Sequence, residues 1–208
     1  ALATDRVRWV GQAVAAVVAV DRYVAEDALE LIDVEYEPLP VVADLDAALA
    51  PDAPKLYDDW LDNVSGSLTY TFGEPDEAFA AADVVVKESF NHGRAFGCPL
   101  EPRGAIVDWD AFSDTIDVWL STQAPNLARD LLSEVLGVPV HKIRVRTPNL
   151  GGGFGNKFDF YGEEVIAAVL SRRTGRPVKL IEDRRDSFFA TSHSRDQRLD
   201  FEMALTND

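Results

Sequence analysis

A single cysteine, Cys98, leaves no partner for an internal disulfide and no thiolate set for a four-cysteine zinc or iron–sulfur site built by these residues alone. Bases are also scarce: 20 Lys and Arg stand against 36 Asp and Glu, a formal charge of −16 with a pI near 4.5. Phosphate backbones and anionic lipid faces need positive surfaces, so general binding to nucleic acid or to a membrane surface is disfavoured. Long apolar runs are missing too. The longest, Ala13 to Val20, is strand-sized and well short of the ~18 residues of a membrane span. No basic segment followed by an apolar one opens the chain, so no secretory signal is read and a cytoplasmic setting is expected. The first residue is Ala1 and not Met, so a piece of something longer is expected.

What remains is globular in composition, with 47% hydrophobic and 27% charged residues over 208 positions. That length allows a domain or a domain and a half, burying roughly 70% of the unfolded surface. The acid is unevenly placed. Residues 1–104 hold 20 acids and 7 bases (−13), and residues 105–208 hold 16 and 13 (−3). From Asp44 to Glu77 there are nine acids, the single base Lys55, three prolines and no sustained apolar period. A loop that long is unusual inside one domain, so it reads as a connector between two units.

Periodicity predicts strands at 6–9, 12–20 and 33–36, with a helix over 23–32 that puts Val24, Ala28, Leu31 and Ile32 on one face. Beyond the connector it predicts helices over 75–82, 126–136 and 161–174. Strands are expected at 83–90, 104–109, 115–121, 142–146, 176–181 and 198–205. On the 161–174 helix Val165, Ile166, Val169 and Leu170 face inward, and Gly175 ends it.

The most informative stretch is Asn149 to Lys157, which carries four glycines in five positions (Gly151, Gly152, Gly153, Gly155) between a strand and a helix. Such a loop can turn N–H groups toward an anion or a metal's oxygen ligand. A phosphate P-loop needs Gly-Lys-Ser/Thr, but Asn156 separates Gly155 from Lys157, and Phe158 stands where the hydroxyl should be. The dinucleotide fingerprint counted from Gly151 and Gly153 needs glycine at 156 and finds Asn156. A glycine-rich turn without a ligand stays open. Ser121-Thr122-Gln123-Ala124-Pro125 ends a strand, where Gln123 can donate its amide to a bound oxygen or the turn can simply cap the next helix. Pro99-Leu100-Glu101-Pro102-Arg103-Gly104 places a carboxylate and a guanidinium in a proline-clamped turn, either for a ligand or as a local ion pair.

Other features point to structure more than to chemistry. His92, His141 and His193 lack metal-ligand spacing, and no Gly-x-Ser-x-Gly elbow is present. Glu163 and Glu164 fit a helix's first turn, and Cys98 reads as a buried, inert thiol. Eight bases against four acids from Arg172 to Arg198 suggest a local anion or subunit contact.

In this order, Leu100–Gly104, Ser121–Pro125 and Gly151–Lys157 resemble the large subunit of the xanthine dehydrogenase/aldehyde oxidase/carbon monoxide dehydrogenase family. Val7–Gln12 and Val34–Pro40 are similar to that family's small α/β hammerhead domain, and Glu182–Asp186 with Thr191–Arg195 to a later strand-and-turn segment. The resemblance covers essentially the whole chain and implies an α+β fold. It divides the chain into the end of a hammerhead domain (1–47), an acidic connector (48–74) and the first part of a molybdopterin-binding domain (75–208).

It further implies a molybdenum–pterin cofactor in its cytosine dinucleotide form, with Gln123 beside a molybdenum oxygen and Gly152, Gly153, Phe154 and Gly155 along the metal's ligands and the pterin. Family members hydroxylate carbon with water as the oxygen source. Electrons pass to a [2Fe-2S] small subunit and an FAD-binding medium subunit, in a dimer of heterotrimers. Phe158 replaces the glutamate that xanthine- and aldehyde-type members carry after the loop lysine, which is closer to the carbon monoxide dehydrogenase-like branch. The family's catalytic glutamate and substrate loop lie downstream, so no catalytic residue and no protein metal ligand are assigned, and carbon monoxide, aldehydes and N-heterocycles stay open as substrates. Two other classes stand beside this reading: a scaffold that reuses the fold without molybdenum, and a phosphate-dependent enzyme.

Overall fold

A computed structural model describes residues 1–207. The chain divides into two compact units, residues 1–32 with 93–197, and residues 33–92 with the residues from 198 onward.

The first unit is built on a four-stranded sheet of Ile143–Arg146, Thr115–Leu120, Gly104–Asp110 and Val178–Ile181, neighbours in that order. Strand β2 (Gly104–Asp110) and strand β3 (Thr115–Leu120) form an antiparallel hairpin with Val107 opposite Val118. Both strands alternate apolar and polar residues, and the alternation decides the faces. Ala105, Val107 and Trp109 of β2 are buried with Ile116, Val118 and Leu120 of β3. Strand β5 (Val178–Ile181) adds antiparallel to β2, and β4 (Ile143–Arg146) adds parallel to β3.

A parallel neighbour needs a crossover, supplied by helix α4 (Pro125–Leu136). Pro125 occupies its first turn and Gly137 (φ +66°) ends it in the left-handed conformation, as the sequence predicts. Helix α5 (Gly162–Thr174) packs on β2 and β5 and buries Val165, Ile166, Ala167 and Ala168, while Val169 and Leu170 are partly buried.

Residues 6–9 and 12–20 do not form the expected strands. They make one backbone bond of the ladder type, Ala3 N to Ala13 O at 2.8 Å, and pair with no strand among the described residues. Apolar alternation alone does not make a strand; a partner does. Helix α1 (Arg22–Leu29), capped by the Asp21 carboxylate on Val24 N–H, stops before Leu31 and Ile32 and buries none of its residues. Residues 33–36 are likewise not a strand. A helix not read from the sequence, α6 (Arg184–Ala190), starts where the Asp183 carboxylate accepts from Asp186 N–H at 2.7 Å. Its seven residues are too few to display an apolar period.

The second unit holds helices α2 (Leu45–Leu49) and α3 (Pro75–Ala80), and a ribbon of β1 (Val84–His92) paired with β6 (Gln197–Leu205). Between α2 and α3 no regular element forms among the described residues. Asn63 nevertheless staples this stretch: its amide donates to Ala48 O and Pro54 O, both at 3.1 Å, and accepts from Leu56 N–H at 3.0 Å.

Candidate functional site

The three motifs of the sequence converge in the first unit. The turn after β3 brings Gln123 onto the glycine loop between β4 and α5. There Gly155 N–H donates to Gln123 Oε1 at 3.0 Å. The backbone of Gln123 is pinned as well: its N–H donates to Lys157 O at 2.8 Å, and Thr122 Oγ1 donates to the same carbonyl at 3.1 Å. Gly153 is glycine for a packing reason, since a Cβ there would lie 2.5 Å from Gln123 Cδ and Oε1. Gly152 (φ +94°) and Gly155 (φ +92°) are glycine for a backbone reason, and Phe154 adopts φ +54° with its ring exposed.

What the clamp leaves free defines the chemistry. Gln123 Nε2 makes no hydrogen bond among the described residues, and neither do the N–H groups of Gly152, Gly153 and Phe154. Four neighbouring donors on a glycine-rich backbone suit an anionic or oxygen-rich ligand. A lysine-assisted phosphate site is a poorer fit, because Lys157 is turned away into the protein. Its side chain is fully buried and its Nζ donates to Glu101 Oε2 at 2.7 Å. That oxygen also accepts Gly151 N–H at 2.9 Å, while Glu101 N–H donates to Gly151 O at 3.1 Å. The lysine and the Gly151 N–H hold the Glu101 carboxyl below the usual carboxylate range.

Glu101 and Arg103 are therefore not paired with each other. Arg103 points to the opposite side of the turn. Its Nη2 donates to Glu182 Oε1 at 2.7 Å and to Glu163 Oε1 at 3.4 Å, its Nε to Thr191 Oγ1 at 3.0 Å, and its guanidinium lies 3.6 Å from the Tyr161 ring centroid. Tyr161 hydroxyl donates to Asn156 O at 2.6 Å, and Asn156 Nδ2 to Ser192 O at 3.0 Å, so this second network braces the far end of the glycine loop. Glu164 belongs to the same region. Burial raises its pKa to about 8, against the opposing Tyr161 N–H and the Arg103 charge.

Cys98 is exposed and not buried, because its left-handed backbone (φ +43°) sits in an open loop, with Arg184 Nη1 at 4.0 Å from its sulfur. The bases from Arg172 onward are dispersed: Arg172 covers the Trp109 ring, and Arg184 donates to Pro99 O and Leu100 O. Among the described residues no group of three His, Cys, Asp or Glu could hold a metal ion. The Lys157–Glu101 and Arg103–Glu182 links were not read from the sequence. The quoted motifs contain most of these residues, but not which of them meet.

Two family models match the chain: the molybdopterin cofactor-binding domain over residues 56–208, and the aldehyde oxidase and xanthine dehydrogenase a/b hammerhead domain over residues 1–40. The carbon monoxide dehydrogenase large chain of Afipia carboxidovorans is 40% identical over all of this chain and 27% of its own length. The nicotine 6-hydroxylase large subunit of Paenarthrobacter nicotinovorans is 37% identical over 98% of this chain and 25% of its own length. In structure, quinoline 2-oxidoreductase from Pseudomonas putida 86 matches 99% of this chain and 26% of its own with a TM-score of 0.89 at 38% identity. The chain thus spans about a quarter of the length of the curated relatives it matches.

Proposed function

Because the chain belongs to the family of molybdopterin-binding large subunits that includes xanthine dehydrogenase, aldehyde oxidase and carbon monoxide dehydrogenase, we propose that it supplies one wall of the molybdenum–pterin site of an oxidoreductase. The observation that carries this reading is the Gln123–Gly155 clamp, which holds one amide oxygen and leaves the amide nitrogen beside three free N–H groups. When bound, the molybdenum–pterin group supplies two-electron redox chemistry, by which R–H and water give R–OH, two protons and two electrons.

This chain's residues bind and orient. Gln123 Nε2 offers a directed donor whose position is set before the ligand arrives, and Gly152, Gly153 and Phe154 offer backbone donors that need no reorganisation. Gly153 keeps the donors close to Gln123, since any side chain there would displace the amide. Phe154, exposed beside them, can cover a ring system and exclude water.

On this reading residues 1–47 end a hammerhead domain, residues 48–74 connect, and residues 75–208 begin the cofactor domain. The cofactor is the cytosine dinucleotide form. Its electrons leave through a [2Fe-2S] subunit and an FAD subunit in a cytoplasmic dimer of heterotrimers. The names of the relatives, a large chain and a large subunit, support a multi-subunit enzyme. Phe158 supports the carbon monoxide dehydrogenase-like branch. The substrate is a small molecule, carbon monoxide, an aldehyde or an N-heterocycle, and relatives named for carbon monoxide, nicotine and quinoline do not choose among these.

The test is metal and pterin analysis of the full-length large subunit purified with its partner chains. One molybdenum and one pterin per large subunit are expected. Gln123→Ala should lower turnover per molybdenum by about 100-fold, the usual loss for a single preorganised donor. A purified assembly with neither molybdenum nor pterin would leave a scaffold in place of the enzyme.

A further inference from the structure

Lys157 is the largest fully buried side chain among the described residues, at 1% exposure, and it lies directly under the glycine loop. A buried ammonium is costly, and a single ion pair offsets that cost only with good geometry and further hydrogen bonds. Here the geometry is short, 2.7 Å from Nζ to Glu101 Oε2, and the same carboxylate oxygen takes Gly151 N–H. At its other end Lys157 offers its carbonyl to both Gln123 N–H and Thr122 Oγ1. One residue thus holds both sides of the clamp: the side chain reaches the start of the glycine loop through Glu101, and the main chain reaches Gln123.

We propose that the Lys157–Glu101 pair is a positioning device, which fixes the distance between Gln123 and the Gly151–Gly155 backbone and so aims the free donors at the cofactor. The proposal rests on the molybdenum–pterin reading given above. Neither side chain is a catalytic residue, since both act through Gln123 and the loop. The asymmetry of the pair makes it testable. Glu101 keeps 42% of its side chain exposed, so removing the lysine charge leaves a solvated carboxylate and not a stranded buried one. Lys157→Met is therefore the single variant that should fold, whereas Glu101→Gln alone would strand the buried ammonium. The second variant is Lys157→Met combined with Glu101→Gln, which leaves neither charge and keeps an acceptor for Gly151 N–H.

Both variants are made in the full-length enzyme with its partner chains. Four quantities are read: molybdenum and pterin per subunit, kcat per molybdenum with KM, the molybdenum electron paramagnetic resonance signal, and hydrogen exchange of the Gly151–Gly155 amides. In Lys157→Met we expect faster exchange at those amides and an altered resonance signal. A fall in kcat per molybdenum of about 100-fold is expected, the scale of a misplacement near 1 Å, with KM moved far less. The double variant should show the same changes, since the tie between Lys157 and Glu101 is lost in both. Unchanged exchange, signal and kcat per molybdenum in the folded variant would overturn the proposal and leave the pair a purely structural ion pair. If Lys157→Met does not fold because its Glu101 carboxylate is left unpaired, the double variant, which carries neither charge, decides by the same readouts. A wild-type enzyme lacking molybdenum would instead overturn the functional reading, and loop exchange would still report whether the pair holds the loop.

Discussion

Strand β2 buries Ala105, Val107 and Trp109, whereas all nine residues of β1 are exposed. Both carry apolar residues and both are hydrogen-bonded to a partner strand. The difference is cover. The four-stranded sheet finds α4 and α5 within the described residues, so one face of its alternation becomes core. The ribbon of β1 and β6 alternates just as cleanly, with Leu199, Phe201, Met203 and Leu205 on successive odd positions of β6, and each of these stays exposed. Pairing makes a strand; only a covering layer turns its apolar face into stability.

The largest test of this contrast is a matched pair of truncations. Leu132 of α4 is 0% exposed, and Leu132→Ala should cost about 3–5 kcal/mol, the transfer term plus the cavity left behind. Met203→Ala on the ribbon should cost less than about 1 kcal/mol, because most of its loss is surface that water already reaches. Denaturant midpoints of the two variants measure both. Equal costs would show that a covering layer closes over the ribbon.

One carboxylate from each region gives a pair with opposite shifts. Burial raises Glu164 to about 8 from an ordinary value of 4.5. Between those values the native state holds a proton that the unfolded chain has released, so stability falls as pH rises through the window. Glu164→Gln should therefore be close to neutral at pH 5 and raise the Tm at pH 8. On the ribbon, the Ser89 hydroxyl holds Asp200 below its ordinary value, which gives stability at neutral pH that is lost as the pH falls below the carboxylate range. Melting curves across pH in Glu164→Gln and in Asp200→Asn separate the two signs.

A smaller effect is expected at the clamp. Gly153→Ala places a methyl 2.5 Å from the Gln123 amide, and overpacking of this kind costs about 1–3 kcal/mol where the neighbour cannot yield. Gln123 is exposed and can yield, so the expected result is little change in Tm with a clear loss of bound molybdenum and pterin from the full-length enzyme. A large fall in Tm with cofactor retained would place the glycine in the core's service and not the site's.

Legibility in the sequence cuts across that division, since the exposed ribbon strands β1 and β6 form where the pattern expects them, at 83–90 and 198–205. Where a partner or covering layer lies close in the chain, the local pattern is also enough: the strands β2 and β3, helix α4 ended by Gly137, and α5 ended by Gly175 all stand as expected. Residues 12–20 have as apolar a pattern as any strand here, but their pattern names no partner, and none is present among the described residues. Helix α6 was missed although Asp183 sits three residues before Asp186, an N-terminal cap signal in a segment too short to show a period. At the site, the order of the motifs was legible and pointed to Gln123 and the glycine loop together. The tie between Glu101 and Lys157, 56 residues apart, is a long-range contact that no local pattern encodes.

The smallest expected effect lies on the ribbon's polar face, where Lys87 Nζ and Glu202 Oε1 stand 2.8 Å apart with side chains 66% and 49% exposed. Cross-strand charges of this kind contribute about 0.2–1 kcal/mol relative to alanine, and solvent-exposed pairs lose much of that to screening. A double-mutant cycle of Lys87→Met and Glu202→Gln, read by denaturation at low and high salt, should give a coupling at the lower end of that range that shrinks as salt is added. A coupling above it, and insensitive to salt, would mean that this pair is shielded from solvent in the longer protein. The two faces of the ribbon then yield a consistent answer or a conflict: cheap Met203→Ala with a weak, screened ion pair describes an open ribbon, and costly truncation with a strong pair describes a covered one. One cheap and one costly result would locate the cover on a single face, the arrangement the four-stranded sheet already shows.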